Sequence, residues 1–594
     1  MNKAQFKLLL KFLKLLLPYR KRQITILILS GLSMLTGLIN PYLSKLVVDK
    51  AILGRQLNTF IILGIIGVGV FILNGLINVM VSFLRRGMQL KVNFDLNKKV
   101  FTHIQSLPLD YFRNKSTGEH MFRINYDVES VVGFITSIPE ELVNIFPQLF
   151  LILGIIFYLD WQMAVFSLVL APILYLPVYY LTRRMRKVLE ELLSTSQNIF
   201  KRLEEVFSHI YLVKAFRKEK TEVRSYLKAL ITKIRIDLKN MKLEIISGFA
   251  GGSLHRIIIG LITLFGGYQV IRGRISAGTL TAIMLYLTKL VGLQSNIAFF
   301  IQRIAFGLVS CRRLDEILTE RSFVQKVADS KQKKIIFSQP RIEFKEVSFG
   351  YQPNEYILKE LEFTIEKGMV SLVGPSGCGK TTILNLILGL YKPWAGEIFI
   401  EGNNIKELES SVISEQVGVA LQEPFLWNDS IENNIRYGKE KASIREIIGV
   451  ARLTGVDEFV RDLPFGYNTI IGEDACKISE GQKQKVAIAR ALLKKPKILI
   501  LDEAMSSMDS LSEEKIITQI KTLEIPTVII VSHRLSTVMA CDLVYFFKEN
   551  NKLIIDRPRQ LLEQDKAFYN LFGAQIPRPL QSSYLVQQEL KISD

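Results

Sequence analysis

Hydrophobic and polar positions divide the chain near residue 320. Before that point, four stretches contain no charged side chain: 23–44, 56–84, 142–159 and 161–182. Two more, 246–271 and 277–302, are interrupted only by His255 and Arg256 in one and Lys289 in the other. A helix needs about 20 apolar residues to cross a hydrocarbon core of about 30 Å. The pattern therefore predicts six spans, at about 20–48, 56–84, 131–159, 161–182, 246–271 and 277–305. The connections at 85–130 and 183–244 are long and charged, with helical patterns such as LeuGluGluLeuLeu at 189–193. The leucine-rich opening, 4–18, places Lys7, Lys11 and Lys14 on one helical face and reads as an interfacial helix. The lysines break the apolar core that a signal peptide needs.

Beyond residue 320 the pattern is that of an α/β domain. Short apolar strands at 341–345, 369–374 and 497–502 alternate with helical stretches. The expected organisation is a transmembrane domain over 1–320, a charged linker over 321–339, an α/β domain over 340–574 and a mobile tail over 575–594.

A net charge of +20 could suggest a nucleic-acid binder. Its distribution argues for no nucleic acid, because residues 1–320 carry 41 basic and 20 acidic side chains while 321–594 carry 35 and 36. The excess sits beside the apolar runs. The loops at 85–130 and 183–244 hold 8 and 16 basic residues, which assigns them and both termini to the cytoplasmic side. The four cysteines, at 311, 378, 476 and 541, show no CxxC spacing, so neither a disulfide framework nor a zinc site is expected.

Chemistry begins at Gly374-Pro375-Ser376-Gly377-Cys378-Gly379-Lys380-Thr381-Thr382, which fits GxxxxGK[ST] between a strand and a helix. In such a loop the backbone N–H groups wrap phosphates, Lys380 neutralises charge and Thr381 can ligate magnesium. The strand Ile498-Leu499-Ile500-Leu501 ends in two acids. Asp502 can hold the magnesium, and Glu503 is placed to polarise an attacking water. Cys378 is read as a variable loop position, since nucleotide covers it.

Between these motifs, Ile478-Ser479-Glu480-Gly481-Gln482 precedes a helical stretch and resembles the signature of ATP-binding cassette (ABC) proteins. A serine hydroxyl, the Gly481 N–H and a helix start can bind a second γ-phosphate, one belonging to a partner chain. The resemblance covers nearly the whole chain. It implies that Tyr351, in Phe349-Gly350-Tyr351, stacks on adenine, and that Gln422 senses magnesium and water. It also implies that Asp509, in Ser506-Ser507-Met508-Asp509, faces the partner's phosphate loop and that His533 contacts the γ-phosphate. Residues 103–112, 116–119, 125–129 and 211–216 resemble the intracellular loops of ABC exporters. Two departures stand out: Glu480 replaces the usual signature glycine, and Asp474-Ala475 follows Glu473 where arginine-glycine is common.

The resemblance implies an exporter half-transporter using ATP and Mg2+, a homodimer embedded in membrane lipid. It would move a small molecule, peptide or lipid by alternating access, in a bacterial inner membrane. A lipid or lipid-linked-sugar flippase is one alternative; an ATP-gated channel or regulatory ABC protein is another, opposed by the intact Glu503 and His533. Ionisable groups at membrane depth usually face a cavity. His255, Arg256, Lys289 and Arg303 are therefore candidate cavity residues for an anionic or amphipathic cargo, weighed against pairing within the bundle.

Overall fold

The computed structural model describes residues 3–113, 117–320, 335–352, 355–472, 477–548 and 552–576; within the long helices, side chains 171–179, His255 and a scatter of others lie outside that description. The chain divides into two compact units, residues 1–107 with 111–322, and 323–594 with 108–110. Most of the expected linker, 321–334, and the tail from 577 lie outside the described residues.

The first unit is helical. An opening helix, Lys3–Leu13, is followed by six long ones: Arg20–Leu46, Leu57–Gln105, Val128–Leu159, Trp161–Ser208, Glu219–Ile271 and Ala277–Thr319. One expected span falls on each of them, to within two residues at its ends. Several continue well past it into the charged segments, so long helix two alone runs about 70 Å at 1.5 Å per residue. Along that helix Val81, Met88, Val92, Leu96, Val100 and Ile104 are buried, a stripe at helical spacing. It packs with Leu9 and Phe12 of the opening helix, Val131 and Ile135 of long helix three, and Leu314 and Ile317 of long helix six. A second core joins Leu38, Ile152, Ile156, Ile262 and Tyr286.

The outward faces are apolar rather than polar: Phe71 is 72% exposed and Phe83 79%. Such surface suits hydrocarbon, and the helices satisfy their own backbone groups there. Among the described residues, four helical stretches are long and apolar enough to cross a membrane, namely Lys3–Ile52, Leu57–Gln105, Gly118–Leu159 and Glu219–Ile271; long helices four and six contribute the shorter apolar stretches Trp161–Leu170 and Ala277–Leu290.

The second unit holds two sheets. Strands β1 (Ile342–Phe349), β2 (Leu358–Ile365), β4 (Ala395–Ile400) and β5 (Asn403–Asn404) form an antiparallel sheet in the order β2-β1-β4-β5. Strands β3 (Gly368–Val373), β6 (Val417–Ala420), β7 (Ile498–Asp502), β8 (Thr527–Val531), β9 (Leu543–Phe547) and β10 (Leu553–Asp556) form the other, in the order β10-β9-β3-β8-β7-β6. Only the β10–β9 pair of that sheet is antiparallel. The parallel strands are buried nearly throughout, as expected of a sheet covered on both faces.

One boundary needs correction. Residues 335–339 belong to the folded unit: Phe337 is fully buried, its N–H donates to Gln416 Oε1 at 2.6 Å, and Gln416 Nε2 donates to the Ile335 carbonyl at 2.8 Å.

Candidate functional site

Strand order assembles the site. The phosphate loop follows β3, His533 follows β8, Asp502 and Glu503 end β7, and Gln422 follows β6, so four adjacent parallel strands deliver all of them at their carboxyl ends.

Gly379 opens the helix Lys380–Ile387 with φ +95°, a left-handed conformation in which a Cβ would also lie 2.7 Å from Leu358 Cδ2. Lys380 is buried, and its Nζ donates to the carbonyls of Gly374 (2.8 Å) and Pro375 (3.0 Å), which centres the cation over the loop. Ser376 and Gly377 are exposed at the crest, and Cys378 is half-buried with Sγ 3.8 Å from Lys380 Nζ.

The Thr381 hydroxyl donates to Asp502 Oδ2 at 3.2 Å. Burial pushes the Asp502 carboxyl above its ordinary range, and this hydrogen bond opposes the shift. A hydroxyl and a carboxylate brought together offer only oxygen donors, which suits a hard cation such as Mg2+. Thr382 is buried, its hydroxyl 3.2 Å from the Tyr351 hydroxyl. Edge contacts with Phe349 (5.2 Å between centroids) and Tyr391 (5.3 Å) fix the Tyr351 ring.

Glu503 leaves β7 with φ +49°, uncommon for a residue with a side chain, while its N–H donates to the Val531 carbonyl at 3.0 Å. Its carboxylate accepts from Gln422 Nε2 at 2.8 Å and lies 3.0 Å from His533 Nε2. Residues 81 and 30 positions away in sequence thus converge on one acid.

Ser479 caps the signature helix, Glu480–Leu493, in a reciprocal capping box with Gln482. Glu480 is exposed and pairs with Lys483 at 3.2 Å, so the departure from glycine is accommodated on the helix surface. Gly481 is constrained: a Cβ there would lie 2.9 Å from the Ser507 carbonyl oxygen. Gln484 extends the contact, accepting from the Ser507 N–H at 3.0 Å and donating to Ser506 Oγ at 3.2 Å. These contacts hold the signature helix against the segment after Glu503. Asp509 caps the next helix, Ser510–Thr522, accepting from the Ser512 N–H at 2.8 Å, and that bond holds its carboxyl below the usual range.

Sequence reasoning missed two arginines. Arg534 donates to the carbonyls of Ser506 (2.9 Å) and Met508 (2.8 Å) and pairs with buried Glu513, tying the residue after His533 to the segment after Glu503. Arg490 donates to the carbonyls of Phe425 (2.8 Å) and Asn434 (2.9 Å), joining the signature helix to the segment after Gln422. Neither belongs to a recognisable spacing; their partners are 21 to 65 residues away.

The four membrane-region candidates separate. Arg303 pairs with Glu141 of long helix three, the pairing within the bundle that the sequence left open beside the cavity role. Arg256 is exposed and Lys289 half-buried, while the His255 side chain lies outside the described residues, as do Glu473, Asp474 and Ala475.

Comparisons with known proteins cover both units. Residues 24–294 match the ABC transporter transmembrane region, and residues 358–506 match the ABC transporter domain. An ATP-dependent lipid A-core flippase of Syntrophus aciditrophicus is 31% identical over 95% of this chain and 94% of its own length. A Staphylococcus aureus ATP-binding/permease protein named for multidrug export is 30% identical over 95% of this chain and 99% of its own. The solved structure of a bacterial Atm1-family ABC exporter with ATP bound superposes with a TM-score of 0.84, at 25% identity, over 94% of this chain and 100% of that one. With a membrane-spanning helical region fused to a phosphate-loop domain and relatives that match it from end to end, this chain belongs to the ABC transporter family and is an ATP-hydrolysing exporter.

Proposed function

We propose that the chain works as a homodimer with two equivalent ATP sites, each built from the phosphate loop of one protomer and the signature serine of the other. Lys380, Gln422, Ser479, Asp502, Glu503 and His533 are all present in this one chain, so no degenerate partner is required. The carrying observation is the convergence of Gln422 and His533 on Glu503, beside the Thr381–Asp502 pair.

In this reading Tyr351 stacks on adenine. The loop 374–379 with Lys380, Thr381 and Thr382 wraps the phosphates, and the partner's Ser479, Gly481 and Gln482 close over the γ-phosphate with Asp509 at the seam. Thr381, Asp502 and, through water, Gln422 would hold Mg2+, which supplies charge neutralisation at the β- and γ-phosphate oxygens. Glu503 accepts a hydrogen bond from the attacking water and aims it at the γ-phosphorus, while His533 steadies both the acid and the phosphate. ATP clamps the two domains, hydrolysis releases them, and Gln422 passes the change to the helical unit, which alternates between inward- and outward-facing states.

The cargo is amphipathic and anionic, carried outward across a bacterial inner membrane with both termini and the ATP-binding unit on the cytoplasmic side. The basic loops at 85–130 and 183–244 support that orientation. Lipid flipping is a second reading, favoured by relatives named as lipid A-core flippases.

ATP hydrolysis by this chain alone in lipid nanodiscs tests the proposal. Glu503→Gln should retain ATP binding and lose at least about tenfold in turnover. Near-normal turnover in that variant rejects the role of Glu503, and no turnover in the unaltered chain replaces the homodimer with a heterodimer.

A further inference from the structure

Long helix six carries two cations within its expected span, and they are treated differently. Arg303 is neutralised by Glu141, and on long helix two Arg85 Nε pairs with Glu140 at 3.3 Å. For Lys289, no described carboxylate lies within ion-pair distance. It stands 12 residues from Ala277, about 18 Å into a core of about 30 Å.

A polar patch lies beside it. Asn74 Nδ2 donates to the Ser33 carbonyl at 2.6 Å and to Thr36 Oγ1 at 2.8 Å, Asn78 Nδ2 donates to Asn74 Oδ1 at 2.8 Å, and Ser33 Oγ donates to Asn78 Oδ1 at 2.8 Å. Gly37 joins patch and cation: a Cβ on it would lie 3.7 Å from Asn74 Nδ2 and 3.8 Å from Lys289 Nζ. Three long helices (one, two and six) therefore bring an ammonium and a hydrogen-bonding patch together at membrane depth.

We propose that Lys289 and Asn78, the latter oriented by its hydrogen bonds with Asn74 and Ser33, form the site that takes the anionic group, carboxylate or phosphate, of an amphipathic cargo. Asparagine and serine side chains that hydrogen-bond one another are an ordinary way to join helices in lipid. An ammonium there without a carboxylate is not, and it is satisfied when an anion arrives with the cargo. Asn78 is exposed and commits one of its two amide N–H groups to Asn74, so it has a second donor to offer. This inference rests on the reading of an anionic cargo and narrows it: of the four cations expected along spans five and six, Lys289 does the binding, and its helpers come from spans one and two.

The test is direct binding of dansyl-undecanoic acid and of its methyl ester to the full chain in phosphatidylcholine nanodiscs without nucleotide. The two probes differ at one end, a carboxylate in one and an uncharged ester with one added methyl in the other. Lys289→Gln should weaken binding of the acid about tenfold or more and leave the ester within about twofold, and Lys289→Arg should stay within about threefold of the unaltered chain for both. Asn78→Leu should weaken the acid selectively and by less. Loss of acid and ester alike in Lys289→Gln would mean a packing role and overturn the site, as would acid binding unchanged by that substitution. If the unaltered chain hydrolyses ATP but does not distinguish acid from ester, the anionic-cargo reading itself falls; discrimination that survives Lys289→Gln sinks this site alone.

Discussion

Glu503 Oε1 lies 3.0 Å from His533 Nε2, and the other carboxylate oxygen accepts from Gln422 Nε2 at 2.8 Å. The acid that would orient water is held by the two residues that the family resemblance connects with the γ-phosphate and with magnesium and water. Its aim therefore depends on both. His533→Ala should lower ATP turnover about 100-fold, the usual scale for one positioned donor, with ATP binding much less affected. Steady-state hydrolysis beside nucleotide affinity separates the two; equal losses in both would mean that His533 only builds the binding site.

The Thr381–Asp502 hydrogen bond predicts a magnesium phenotype. Thr381→Ala should raise the Mg2+ concentration for half-maximal hydrolysis several-fold, and Thr381→Ser, which keeps the hydroxyl, should restore it. A magnesium titration of turnover at saturating ATP reads this. Identical curves for alanine and the unaltered chain would remove Thr381 from the metal site.

Gly481 predicts a steric one. Gly481→Ala places a methyl 2.9 Å from the Ser507 oxygen, closer than carbon and oxygen tolerate, so the signature helix must shift from the segment 506–508. Turnover should fall at least about tenfold while ATP still binds a single phosphate loop. Glu480→Gly, which removes only a surface pair, should stay within about threefold.

Arg534 and Glu513 form a pair whose acid is 4% exposed at the side chain. Arg534→Met leaves that carboxylate without its cation and releases the carbonyls of Ser506 and Met508, a change of about 3 kcal/mol or more. A lower thermal transition and slower hydrolysis should appear together. Glu513→Met in the same chain should recover part of the transition temperature, since the buried charge is then gone; no recovery would assign the loss to the carbonyl contacts.

Arg303 and Glu141 join long helices six and three. Arg303→Glu should destabilise the bundle, and Glu141→Arg in the same chain should restore much of the lost stability. Thermal unfolding in nanodiscs measures both. Dansyl-undecanoic acid binding should follow the folded fraction alone, in contrast to Lys289→Gln.

What could be read from the sequence was local or periodic. The six apolar runs, the phosphate loop at 374–382, the acids ending β7 and the serine and glycine opening a helix at 479–482 are short patterns whose chemistry needs only neighbouring residues. The family resemblance added Tyr351, Gln422, Asp509 and His533, which no local rule would single out. Tertiary structure alone decided which distant groups meet. It set Gln422 and His533 against one carboxylate because β6, β7 and β8 lie side by side, brought Arg534 to Glu513, and gave Arg303 a carboxylate while leaving Lys289 beside Asn74. Charge at membrane depth can be counted in the sequence, but whether a cation is neutralised depends on which helix faces pack together, and no pattern among neighbouring residues states that.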